Sequence, residues 1–144
     1  MIRKAVLDDV RSIHALLQIY GKKGELLARP LPKLYDHLRD FWVYSDPETG
    51  QITGCCALQF CWEDLAEIRS LAVHPDFTKQ GIGSALTERS IQEAVYFNVK
   101  DLFALTYRTS FFDQFGFSEI DKSKLPLKIW ADCIECVNFP NCDE

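Results

Sequence analysis

A handful of side chains in this sequence are candidates for chemistry. Glu67 stands in Ala66-Glu67-Ile68, inside an otherwise apolar strand-forming run. A carboxylate placed there loses hydration, which raises its pKa towards values useful to a general base. It could equally be a solvent-facing residue at a strand start, or the partner of Arg69. A few residues on, Lys79-Gln80-Gly81-Ile82-Gly83-Ser84 comes after the break His74-Pro75-Asp76 and leads into an apolar-periodic run. Two glycines allow a tight loop with exposed N–H groups, and a helix opening there adds the positive end of its dipole. Such a loop suits phosphates. Arg29 and Arg108 could each hold a carboxylate through two parallel hydrogen bonds, or make ordinary surface ion pairs. Near the end, Cys133-x-x-Cys136 and Cys142 have the spacing of metal ligands or of a redox pair.

The glycine pair alone does not define a ligand. Gly81-x-Gly83-x-x-Leu86 lacks the third small residue of a dinucleotide fingerprint, and no Lys-Ser/Thr pair comes after it as in a P-loop. No fourth thiol or imidazole stands beside the three tail cysteines; Cys55, Cys56, Cys61 or His74 would have to come from elsewhere in the fold. A redox pair would open a helix in a βαβ setting, which the tail lacks. We therefore read the tail thiols as small apolar packers, with a metal site as the alternative. Cys55 and Cys56 read as core thiols, and His74 as part of a strand-ending turn.

Periodicity sets out the helices and strands that carry these groups. Ile2–Val6 reads as a strand, and Asp8-Asp9 opens a helix whose apolar face is Val10, Ile13, Leu16, Leu17 and Tyr20. A second helix carries Leu31, Leu34, Leu38 and Phe41, with Pro32 in its first turn. Strands are expected over 41–44, 51–60 and 65–73, separated by the turns Asp46-Pro47-Glu48-Thr49-Gly50 and Trp62-Glu63-Asp64. The helix behind the glycine loop should turn Leu86, Ile91, Ala94 and Val95 inward and Glu88, Arg89 and Glu93 outward. A buried strand over 101–107, a short helix over 109–115 stopped by Gly116, and closing strands over 117–120 and 128–130 complete the order β-α-α-β-β-β-α-β-α-β. Residues 1–131 are expected as one domain, with 132–144 as a cysteine-containing tail packed on it.

Composition narrows the classes. The chain has 144 residues, 47% hydrophobic and 26% charged, which suits one globular domain. A net charge of −5 with no basic run argues against nucleic-acid binding. No apolar run approaches a membrane span, and the N-terminus has no apolar region of the signal-peptide kind. The expectation is a cytoplasmic protein with reduced thiols.

The strand ending in Val73-His74-Pro75 and the loop 78–83 resemble the acetyl-coenzyme A-binding motif of the GNAT N-acetyltransferase superfamily. The resemblance narrows with Gly24-Glu25-Leu26-Leu27-Ala28-Arg29, Gly54-Cys55-Cys56-Ala57-Leu58, Glu67, Leu71-Ala72-Val73-His74-Pro75, 102–108, Phe112-x-x-Phe115-Gly116-Phe117 and Leu125-Pro126. Together these are similar to the acetyltransferase domain of N-acetylglutamate synthases over roughly residues 2–130, in a short form without the amino-acid-kinase domain. The resemblance implies a GNAT fold with a mixed, mostly antiparallel sheet, acetyl-CoA as cosubstrate and a small amino acid, glutamate first, as acceptor. It implies that the amides from Lys79 through Gln80, Gly81, Ile82 and Gly83 to Ser84 hold the pyrophosphate. The N–H of Leu71, Ala72 or Val73 would polarise the acetyl carbonyl. Glu67 would be the base, and Arg29 and Arg108 would hold the acceptor's carboxylates. Thr78 stands where the family has Arg or Gln, Ala28 where it has a second arginine, and Phe112 where many members have a proton-donating tyrosine. Tyr107 is the substitute acid, with water as the alternative. A homodimer would fit the superfamily.

Overall fold

In a computed structural model the described residues are 1–22, 29–106 and 108–120. The expectations for Tyr107, the closing strand over 128–130 and the cysteine tail lie outside them. The chain divides into two compact units, Met1–Ala104 and Leu105–Glu144.

The first unit is built on five strands in the order β1-β2-β3-β4-β5: Ile2–Lys4, Phe41–Ser45, Ile52–Trp62, Leu65–Val73 and Asp101–Phe103. The first four pair antiparallel, and β5 joins β4 in parallel. Helices α1 (Val10–Gly21) and α2 (Leu31–Asp36) lie between β1 and β2 in sequence, and α3 (Ile82–Tyr96) between β4 and β5. This is the expected mixed, mostly antiparallel arrangement and the expected order as far as β5.

Residues directly opposite in a ladder share a face, and neighbours along a strand alternate. Phe41 and Ala57 are opposite, as are Val43 and Cys55, and Cys55 and Ala72. All pack with Val10, Ile13, Leu16, Leu17 and Leu34, so α1 and α2 cover this face. The opposite face receives α3. Gly54 makes the close approach there: a Cβ on it would lie 2.8 Å from Ile82 Cγ2 and 3.0 Å from Leu86 Cδ1. Only glycine lets the first turn of α3 settle this near the sheet.

Three expectations need correction. The inward residues of α3 are Ile82, Leu86, Thr87, Ser90 and Ala94, while Val95 is 69% exposed. The i, i+4 stripe 82-86-90-94 faces the sheet, and Val95 lies about 100° around the helix from it. Glu93 turns back to accept from Trp42 Nε1 at 2.9 Å, with Lys4 Nζ at 3.3 Å. The strand expected over 101–107 ends at Phe103, and its three residues pair with Leu65–Glu67 at the start of β4. Residues 117–120 are not a strand; among the described residues they have no ladder partner, and Ile120 is 53% exposed.

The described part of the second unit holds α4 (Thr109–Asp113) and an aromatic cluster. Phe112 meets Phe111 edge-on and Phe117 at a tilt, with ring distances of 5.1 and 5.2 Å.

Candidate active site

The run Leu65–Ser84 carries most of the candidate chemistry in one continuous path. β4 starts it. Glu67 is buried on the face shared with α1 and α2, since it opposes Gln59 two residues along from the Ala57–Arg69 pair. Arg69 Nη1 lies 3.7 Å from Glu67 Oε1 and donates to Gln59 Oε1 at 2.8 Å. Of the alternatives in the sequence, the solvent-facing one fails, while burial and proximity to Arg69 hold together.

Beyond Glu67 the strand changes character. Ser70 has φ of 56°, and the β3–β4 register slips between the Ala57–Arg69 and Cys55–Ala72 pairs. β4 thus carries one extra residue, a bulge that bends the strand and re-aims its last three residues. The Cys55 thiol donates to the Ser70 carbonyl at 3.3 Å and so ties the bulge to β3. Sequence reasoning missed this feature, because serine carries no signal for positive φ.

The bulge leaves an edge. β5 pairs with β4 only over Leu65–Glu67, so from Ile68 to Val73 no ladder covers that side among the described residues. His74 N–H donates to Thr53 O at 2.8 Å, towards β3. Amides alternate sides along a strand, so Ala72 N–H also faces β3, whereas Val73 and Leu71 direct theirs to the open edge. The far end of β4 is fixed from above by Tyr20 of α1, whose hydroxyl donates to Val73 O.

The loop comes next. His74 Nδ1 accepts from Asp76 N–H at 3.1 Å and caps the 3-10 turn Pro75–Phe77, a structural task rather than a catalytic one. Lys79 and Gly81 both have left-handed backbones, φ 64° and 78°. Gly81 is the N-cap of α3 and supplies no side-chain cap. The first intrahelical bond runs from Ala85 N–H to Gly81 O, so the amides of Ile82, Gly83 and Ser84 lack an i−4 acceptor. Left-handed residues just ahead of a helix start help to gather N–H groups into an anion-binding concavity. The residues present fit a pyrophosphate.

Arg29 enters from the chain before α2. It is 7% exposed, and its guanidinium lies over the Phe41 ring, 5.8 Å from the centroid. Burial pushes the Asp40 carboxyl up against the opposing charges of His37, Arg29 and Lys4. Burial likewise pushes the Cys55 thiol up, with Arg29 acting against it. Phe41, Ala57 and Arg69 form one cross-strand row. Arg29, over the Phe41 ring, therefore sits above the same face of the sheet as Glu67. Arg108 belongs to the second unit, where its N–H donates to Thr106 Oγ1 at 2.9 Å. Among the described residues no group of three or more His, Cys, Asp or Glu could hold a metal, and no helix is long and apolar enough to cross a membrane. Cys133, Cys136 and Cys142 lie outside the described residues.

A carboxylate at a bulged strand, an open amide edge and an anion-binding helix start is an arrangement for acyl transfer from a phosphate-bearing carrier. Residues 37–119 match the acetyltransferase (GNAT) domain model. The chain belongs to the GNAT acetyltransferase family. It is 39% identical over 143 residues to an uncharacterised N-acetyltransferase of Chlorobaculum tepidum, covering 99% of this chain and 91% of that protein. It is 37% identical over 133 residues to an amino-acid acetyltransferase of Mycobacterium tuberculosis, covering 92% and 76%. Its fold is similar, at a TM-score of 0.86 and 31% identity, to N-acetylglutamate synthase from Neisseria gonorrhoeae complexed with coenzyme A and N-acetyl-glutamate. That match covers 94% of this chain and 32% of the synthase chain. The GNAT chain is thus an acetyl-CoA-dependent N-acetyltransferase, with acetyl-CoA as its cosubstrate.

Proposed function

We propose that this acetyltransferase moves the acetyl group of acetyl-CoA to the α-amine of L-glutamate. The observation that carries the proposal is the burial of Arg29 and Glu67 on one face of the sheet. A guanidinium suited to a carboxylate and a carboxylate suited to an amine proton are buried on that one face. The amino-acid acetyltransferase relative and the synthase complexed with N-acetyl-glutamate support the same acceptor class.

In this reading the amides of 79–84 hold the pyrophosphate, and Leu71 and Val73 N–H polarise the acetyl carbonyl. Glu67 takes the amine proton directly or through a water as the C–N bond forms. The C–S bond breaks, and the departing thiolate takes its proton from Tyr107 or from water. Arg29 and Arg108 orient the acceptor's two carboxylates. The protein works in the cytoplasm, as a homodimer.

The test is acetyl-CoA turnover, monitored as free thiol release, against a panel of common L-amino acids and polyamines. Glutamate-dependent release is expected. Arg29→Ala and Arg108→Ala should each raise the glutamate KM by about 10- to 100-fold, the worth of a hydrogen bond to a charged group, with the acetyl-CoA KM unchanged. Preferential release with another amine would overturn glutamate as the acceptor. Ala28 at the family's second arginine position makes that comparison informative.

A further inference from the structure

Glu67 does not act from an isolated position. Arg69 stands two residues on, and both side chains are nearly buried, 11% exposed for Arg69 and 9% for Glu67. At 3.7 Å the guanidinium meets the carboxylate as a charge rather than through a tight hydrogen bond. Its short bond goes instead to Gln59 Oε1 on β3, at 2.8 Å. Gln59 is also the cross-strand partner of Glu67. The three side chains therefore form a triangle across two strands, in which β3 fixes the arginine independently of the carboxylate.

That geometry differs from a surface ion pair. Exposed pairs contribute little because water and salt screen them. Here the cation is held where burial would otherwise favour the neutral carboxyl. An arginine fork can serve two partners in one plane, which a lysine ammonium on a flexible stem does not reproduce.

We propose that Arg69, held by Gln59, is a positioning residue for acetyl transfer: it aims the Glu67 carboxylate and keeps it in the ionised form that accepts the amine proton. The inference rests on Glu67 being the base. It assigns Arg69 no contact with substrate, so its effect must pass through Glu67.

A double-mutant cycle reads this directly. Arg69→Met should lower kcat by about 10- to 100-fold, the cost of a misplaced catalytic group, with the acetyl-CoA KM unchanged. Arg69→Lys should recover part of the loss at wild-type thermal stability, and Gln59→Leu should lose less than Arg69→Met. In a Glu67→Gln background, Arg69→Met should change kcat by no more than about 3-fold, because residues that act as a unit are not additive. Equal losses in both backgrounds would overturn the role of Arg69 while leaving Glu67 as the base. Wild-type turnover in Glu67→Gln would overturn the base and this inference with it. Where Arg69→Met unfolds, Arg69→Lys and Gln59→Leu carry the same cycle, and wild-type kcat in both would overturn the proposal.

Discussion

The two faces of the sheet are built from the same strands and do different work. On the α3 face, contacts are close and nearly uncharged. Gly54 admits Ile82 and Leu86, Ser90 donates to the Cys56 thiol at 3.4 Å, and Thr87 returns its hydroxyl to Gly83 O at 2.9 Å. Among the described residues, charge stands at its margin, where Lys4 and Arg89 flank the Trp42 ring and Glu93 binds its indole N–H. The α1/α2 face carries an apolar cluster and, beside it, charge held largely out of water: Arg29, Glu67 and Arg69. The α3 face sets where the helix start stands. The other carries the charged groups to which we assign the acceptor. Buried charge costs stability unless it is paired and hydrogen-bonded, and Arg69 stands 3.7 Å from Glu67 while donating to Gln59.

The largest expected effect comes from the support. Gly54→Val would place methyl groups where Ile82 and Leu86 already stand. Overpacking of this kind costs about 1–3 kcal/mol, and displacing the first turn of α3 should also weaken acetyl-CoA binding. Thermal unfolding and calorimetric binding check both; a stable variant with unchanged acetyl-CoA affinity would show that α3 does not need this close approach.

The next effect tests the charged side. Asp9, ahead of α1, accepts from Arg3 at 2.7 and 3.0 Å and from Val6 N–H at 2.8 Å. Burial alone would raise its carboxyl, but the Arg3 and Val6 hydrogen bonds and the Arg3 charge outweigh it, and the carboxyl titrates below its ordinary value of 3.8. A lowered folded-state value means the carboxylate adds stability above about pH 4, which is lost as pH falls through the lowered value. Asp9→Asn should cost about 1–2 kcal/mol at pH 7, discounted for the exposure of Arg3. The difference from wild type should vanish in strong acid. Denaturant melts from pH 7 to pH 2 measure it, and a gap that stays constant would rule out the ion pair as its source.

The smallest effect is an absence of reaction. Cys56 is fully buried; burial, opposed by the Ser90 hydrogen bond, pushes its thiol up to about 12. Neither Cys55 nor Cys56 should take up iodoacetamide in the native protein, since the thiolate is the nucleophile. Both should react after denaturation. Peptide mapping reads each site separately, and native labelling of Cys56 would show that the α3 face opens.

Much of this was legible in sequence. The bounds of β4 are set by the Glu63-Asp64 turn and the His74-Pro75 break, and the α1 stripe by its period. The inward face of α3 was less legible, because Thr87 and Ser90 are polar by type and are buried for the hydrogen bonds they make. Val95 is apolar by type yet lies off the stripe. The extent of β5 depends on how far it runs alongside β4, a tertiary fact. Glu67-x-Arg69 could be read as a pair, whereas the Gln59 anchor depends on the β3–β4 register. The bulge at Ser70 depends on a backbone conformation that its residue type does not announce.

Glu67 serves chemistry in this reading, while the strand edge and the α3 start serve cofactor binding. The decisive experiment measures acetyl-CoA affinity and acceptor-dependent thiol release on one preparation of Glu67→Gln. An unchanged dissociation constant is expected, with turnover reduced by about 10²- to 10⁴-fold, the usual worth of a general base. Turnover close to wild type, or acetyl-CoA binding lost together with turnover, would refute that division of labour.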